Sequence, residues 1–264
     1  MWEGENMLKP VERLRPEATA EGTPTVILIG ADKGGVGKTT VARTLLDYLA
    51  AHKVPARAFD TEAPKGTLKR FHPDVTDVVD VAAAADQMKI FDSLSISEVT
   101  VIDVRAGLLS ATLGVLRDIG FLDVAKKGDF RLMVFHILGP SIASLEEISE
   151  TARFLSGAHH FLVKNFINNT TFFDWDPVTY NGYFNKIKGA ANITVPHLNE
   201  LASEQVELSS IPFCTFIANR AANGDHASHS FVLRGYVRHW LSNVWAEYDR
   251  VGLLDLIEAK QKVA

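Results

Sequence analysis

Short apolar runs rich in β-branched residues alternate along this chain with longer stretches that are apolar at helical spacing. Thr25-Val26-Ile27-Leu28-Ile29 reads as a strand buried on both faces. The stretch Val41-Ala42-Arg43-Thr44-Leu45-Leu46-Asp47-Tyr48-Leu49 that follows has the period of a helix. Further strands are expected at Ala56–Asp60, Val99–Asp103 and Leu132–Leu138, from Phe161 onward, and at Ile193–Val195. Helices are expected over Thr76–Leu94, Leu108–Ile119 and Ser141–Leu155, the last opened by a serine cap. This alternation calls for right-handed βαβ units, hence an α/β fold with a doubly wound, mostly parallel sheet. Residues 24–264 are expected to form one domain. Residues 1–23 interleave charges with Pro10 and Pro16 and are expected to be a poorly ordered extension, which Trp2, Met7 and Leu8 could dock.

Between the first strand and the first helix lies Gly30-Ala31-Asp32-Lys33-Gly34-Gly35-Val36-Gly37-Lys38-Thr39, followed by Thr40. Strand, glycine loop, Lys-Thr and helix is the setting in which a phosphate loop works. Gly34, Gly35 and Gly37 let the backbone curl so that successive N–H groups, that of Val36 among them, point inward at phosphate oxygens. The helix N-terminus behind them adds partial positive charge. Lys38 is suited to the β- and γ-phosphates, and the Thr39 hydroxyl to Mg²⁺. A bound nucleoside triphosphate is therefore expected.

The plain phosphate-loop pattern has glycine where this chain has Asp32, and the chain adds a lysine, Lys33, before the double glycine. The string Lys-Gly-Gly-x-Gly-Lys-Thr resembles the deviant phosphate loop of the ParA/MinD superfamily of P-loop ATPases. That resemblance covers residues 25 to about 110 well and 130 to 200 loosely. It implies ATP and Mg²⁺ as ligands and a homodimer in the ATP state, in which Lys33 reaches the partner's phosphates. It implies also ATP hydrolysis, expected here to be slow or partner-dependent because Glu62 stands where the family has aspartate. Ile102-Asp103-Val104-Arg105-Ala106-Gly107 resembles the family's Asp-Thr-Pro-Ala-Gly switch, with Asp103 near Mg²⁺ and Arg105 in the usual place of proline. Phe59-Asp60-Thr61-Glu62-Ala63-Pro64-Lys65-Gly66 resembles the Asp-x-Asp-Pro-Gln-Gly switch, with Asp60 near Mg²⁺ and Glu62 orienting the attacking water. Glu62 is one methylene longer than the family's aspartate, enough to shift a water out of line. Asn165 and Pro196 resemble the family's adenine contacts. An adenine rather than a guanine follows from the resemblance, not from these residues.

Composition narrows the rest. The chain has 264 residues, a formal charge of −5 and a single cysteine, Cys214. Cysteine-based zinc sites and iron–sulfur cages are excluded unless subunits share ligands, and a reducing cytoplasm is the expected compartment. No apolar stretch approaches the ~20 residues of a membrane span, and the N-terminus reads without a signal-peptide core. His159-His160, and His226 with His229, lack partners at metal-ligand spacing. Arg234 and Arg238 share a helix face at i, i+4 and are candidates for nonspecific DNA contact, as in ParA relatives; Lys186 and Lys188 could join them. The amphipathic Val251–Lys260 stretch carries Asp255 and Glu258, which suit a helix docked on the body better than a MinD-like membrane anchor. The aromatic stretch from Phe172 to Phe184 is either a lid packed on the body or a partner-docking or dimer surface. The leading expectation is a ParA-like ATPase that segregates or positions DNA or another cargo. The alternatives are a MinD-like membrane-cycling regulator and a carboxylate-activating synthetase.

Overall fold

The computed structural model describes residues 22–169, 172 and 189–259. Most of the N-terminal extension, Lys186, Lys188 and all of the 172–184 aromatic stretch except Phe172 lie outside the described residues. The strands are β1 (Thr25–Gly30), β2 (Ala56–Asp60), β3 (Thr76–Val78), β4 (Val99–Asp103), β5 (Arg131–Leu138), β6 (His159–Asn165) and β7 (Ala191–Val195). They form one sheet in the order β3-β2-β4-β1-β5-β6-β7, with every pairing parallel. The chain winds to one side of β1 through β2 and β3 and to the other through β5, β6 and β7. The crevice beyond the carboxyl ends of β1 and its neighbours is therefore where a ligand belongs.

β1 has no exposed residue, and its side chains divide by the strand period of two. Ile27 and Ile29 join a core with Val41 and Leu45 of α1 (Lys38–Ala51) and Val237 and Val244 of α9 (Phe231–Arg250). Val26 and Leu28 face the opposite core with Leu113 and Leu116 of α4 (Leu109–Asp118) and Phe121 of α5 (Phe121–Lys127). A run apolar at every position is what a strand covered on both faces requires.

The expected helix over Thr76–Leu94 is corrected by the structure. Thr76–Val78 forms the edge strand β3, α3 covers only Ala84–Phe91, and Leu94–Ile96 is a 3₁₀ turn. The free edge of β2 takes the β-branched start of the segment, pairing Ala58 with Thr76 and Asp60 with Val78. Asp80 and Asp86 then start the helix by exchange: Ala82 N–H donates to Asp80, and Asp80 N–H to Asp86. Two short helices had no periodic signal, α2 (Thr67–Phe71) and α5. The expected Ser141 cap is present, opening α6 (Ile142–Ala152).

After β7 the chain forms α7 (Glu200–Ser209), α8 (Phe213–Ile217), α9 and α10 (Leu253–Glu258). Helix α9 lies along the outer edge of β7. Its Glu247 carboxylate accepts from Thr194 N–H at 2.8 Å, its Arg250 donates to the Asn192 carbonyl, and Trp240 Nε1 donates to the Pro196 carbonyl at 2.6 Å. Helix α10 is docked as expected, with Leu253 and Ile257 buried in the α1/α9 core. No helix among the described residues is long and apolar enough to cross a membrane.

Candidate functional site

The carboxyl ends of β1, β2 and β4 deliver three loops to one cleft of about 300 Å³. Gly35, Gly37, Lys38, Thr39 and Thr40 line it together with Asp60, Glu62 and Asp103. Gly37 initiates α1 with φ +86°, a left-handed conformation that favours glycine. A Cβ there would also lie 2.1 Å from Asn165 Nδ2, so any side chain would collide with the amide that supports the loop. That amide donates to the Val36 carbonyl at 2.7 Å. Asn165 is buried at the end of β6, so its amide nitrogen braces the phosphate loop.

Lys38 is buried, and its Nζ donates to the Lys33 carbonyl at 3.4 Å. Desolvation holds its pKa below the usual lysine value, opposed by the charges of Asp103, Glu147, Glu62 and Asp32. Thr39 Oγ1 donates to Asp103 Oδ2 at 2.7 Å. Asp103 is buried, and its other oxygen, Oδ1, has no hydrogen-bond partner. Burial pushes its carboxyl up to about 7; Asp60 and Glu62 push the same way, while Thr39 and Lys38 oppose. A buried carboxylate with an orphaned oxygen, beside a hydroxyl, fits a divalent cation, which relieves both costs. Among the described residues no cluster of three or more His, Cys, Asp or Glu side chains suits a metal. Mg²⁺ at a phosphate loop needs fewer, because substrate phosphates and water complete its octahedron.

Asp60 and Glu62 are engaged within their own loop. Asp60 Oδ1 accepts from Glu62 N–H at 2.9 Å, and Oδ2 from Leu68 N–H at 2.6 Å, clasping the N-terminus of α2. The Glu62 carboxylate accepts from the Thr67 hydroxyl. Lys33 is exposed, with Nζ donating to Ser141 Oγ at 3.0 Å.

A second cleft of about 450 Å³ continues from Gly35, Gly37 and Thr40 to Asn165 and Pro196, which brings the two expected base contacts together. Its far wall was not anticipated from the sequence. Arg43, one turn beyond Thr40 on α1, is buried between Phe71 and Phe213, with its guanidinium 3.4 and 4.2 Å from the ring centroids. Glu207 of α7 approaches it at 3.5 Å, and its Nε and Nη2 have no partner. Burial lowers its pKa to about 10, against the charges of Glu207 and Asp47. Arg43 stood within the helical stretch of the sequence, but its stacking partners are remote and left no local signal. Thr61 was also missed. Its hydroxyl accepts from Arg105 N–H at 2.7 Å and donates to the Asp103 carbonyl at 3.1 Å, lacing the two switch loops together.

The two C-terminal arginines differ in freedom. Arg234 Nη1 donates to the Ile217 carbonyl at 3.2 Å, whereas Arg238 is exposed. His160 is buried and stacked on His136 with centroids 5.9 Å apart; burial holds its pKa down at about 3, so it stays neutral.

A glycine loop between a central parallel strand and a helix, with Lys, Thr and a buried Asp converging on it, defines a phosphate-loop nucleotide-binding fold. Solved structures share that fold. A ParA family ATPase from Chlorobium tepidum TLS matches 83% of this chain and 98% of its own, at TM-score 0.51 and 13% identity. A nucleotide-binding protein from Archaeoglobus fulgidus in complex with ADP (69% and 85% covered, TM-score 0.47, 16% identity) and MinD from Aquifex aeolicus (83% and 97%, TM-score 0.45, 12% identity) also match. What is shared at this identity is the fold, a parallel-sheet phosphate-loop fold. No family model matches the sequence, and no curated protein matches it.

Proposed function

We propose that the chain is a ParA-like ATPase that closes a sandwich homodimer on ATP, reopens it by hydrolysis, and so positions DNA or another cargo. The observation that carries this reading is one arrangement: an exposed Lys33 before the double glycine, beside a cleft where Lys38, Thr39 and Asp103 converge. The loop amides and Lys38 hold the β- and γ-phosphates. Thr39 and Asp103 would hold Mg²⁺, with Asp60 behind them; the ion supplies charge neutralisation on those phosphates. Lys33 leaves Ser141 to meet the partner's phosphates. Glu62, freed from Thr67, orients the water that attacks the γ-phosphorus. That requirement to break an existing hydrogen bond supports slow, partner-stimulated turnover. Asn165 and Pro196 flank the adenine. Arg238, exposed on α9, is the better candidate of the two arginines for DNA phosphate contact. The buried apolar face of α10 argues against a MinD-like membrane anchor in that segment.

Light scattering with a non-hydrolysable ATP analogue tests this reading. Wild type is expected to dimerise with the analogue and not with ADP. Lys33→Ala is expected to remain monomeric, to keep ATP affinity within about threefold, and to lose at least about tenfold in turnover. If Lys33→Ala dimerised and hydrolysed ATP as wild type does, the reading would be abandoned.

A further inference from the structure

Asp32 stands where the plain phosphate-loop pattern has glycine, and in the structure it touches three elements at once. Its backbone N–H donates to Glu147 Oε2 of α6 at 3.0 Å. Its carboxylate accepts from Ser110 N–H at 2.9 Å and from the Ser110 hydroxyl. Its carbonyl lies against the switch glycine: a Cβ on Gly107 would be 3.6 Å from Asp32 O.

Ser110 is in the first turn of α4, the helix that starts directly after the Asp103–Gly107 switch. The residue at the cap position of α4 is Leu108, which has no side-chain oxygen to offer, and no side-chain cap forms there. Asp32 supplies that carboxylate from 78 positions earlier in the chain. A negative charge at this end of a helix also meets its positive pole. The start of α4 is thus fastened to the phosphate loop rather than to its own sequence. A second tie runs from the adjacent residue, since Lys33 Nζ donates to Ser141 Oγ, the cap of α6.

We propose that Asp32 is a positioning residue that couples the state of the phosphate loop to α4 through its paired bonds to Ser110. A change in the loop on nucleotide binding moves the group that caps α4, and the helix start orders or frays with it. Asp32 itself need not touch the nucleotide. The proposal rests on the reading of the cleft as an ATP site.

Hydrogen exchange at the amides of residues 108–113, with and without Mg²⁺ and a non-hydrolysable ATP analogue, tests it alongside analogue affinity by calorimetry. In wild type the analogue is expected to slow exchange at these amides by about tenfold. Asp32→Ala is expected to abolish that response while affinity stays within about threefold. Asp32→Asn keeps an oxygen for the Ser110 amide and an NH₂ for its hydroxyl, so it is expected to restore the response; Ser110→Ala, which removes the hydroxyl alone, is expected to halve it. A wild type that binds the analogue without protecting these amides would overturn the proposal. So would an Asp32→Ala protein that protects them normally, or one whose affinity falls as far as its protection, which would make Asp32 a loop-building residue only. A wild type that binds no analogue at all would instead remove the ATP reading and this proposal with it, an outcome that calorimetry distinguishes.

Discussion

The phosphate end and the far end of the cleft are built on opposite plans. At the phosphate end, charged groups are buried at a cost: Lys38 is desolvated, and Asp103 keeps one oxygen without a partner. At the far end a cation is also buried at a cost, with Nε and Nη2 of Arg43 unpartnered, but its guanidinium lies between two aromatic rings, and the Pro196 loop is held by Trp240. One end is poised for a ligand that completes it; the other is a packed wall that gives a ligand its place. Both ends bury unpaired polar atoms, but only the far end sets its buried charge between aromatic rings.

The contrast can be broken most sharply at Asp103. Asp103→Asn is expected to reduce Mg²⁺-dependent ATP turnover by about 10²-fold or more. It is also expected to stabilise the nucleotide-free protein by about 1 kcal/mol, because a buried carboxylate is replaced by a neutral amide that Thr39 can still donate to. Steady-state kinetics and thermal melting without nucleotide check both signs. A variant that loses stability along with turnover would show that the carboxylate is structural. At the far wall, truncation is expected to act on folding first. Arg43→Ala leaves a gap between Phe71 and Phe213 and is expected to cost about 3 kcal/mol by urea denaturation. Arg43→Met refills that gap without the charge and is expected to fall within about 1 kcal/mol of wild type. If the methionine variant were as unstable as the alanine one, the ion pair with Glu207 rather than the stacking would hold the wall. The smallest effect is expected from Trp240→Phe, which deletes the bond to the Pro196 carbonyl. Nucleotide affinity should weaken about threefold to tenfold at unchanged kcat, as for one lost hydrogen bond.

The same division explains what could be read from the chain. The phosphate end is a contiguous string whose backbone conformation follows from its own glycines, so Gly34 to Thr40 were legible before any fold. Asp60 and Asp103 were legible as positions because each ends a strand and parallel strands bring those ends together, and Glu62 because it follows Asp60 by two residues. Arg43 was not, since its stacking partners Phe71 and Phe213 sit on helices of five residues with no periodic signal. Asp32 was legible as a departure from the pattern, but its partner Ser110 was not, because a cap supplied from across the fold leaves no mark beside the helix it caps. The Thr76–Leu94 segment was misread for a related reason: a three-residue edge strand is decided by the open hydrogen-bond row of β2.

Helix α9 has a consequence for how copies of this protein can associate. By occupying Thr194 N–H and the Asn192 carbonyl of β7 with Glu247 and Arg250, and the Pro196 carbonyl just beyond it with Trp240, it obstructs that border of the sheet to an incoming strand. The opposite border is only the three residues of β3, and Asp77 there is paired with Lys69 and Lys89. Among the described residues both margins of the sheet are thus guarded against pairing with another molecule. The dimer proposed above would then form through loops and helical faces, where contact can be made and released without rebuilding the fold.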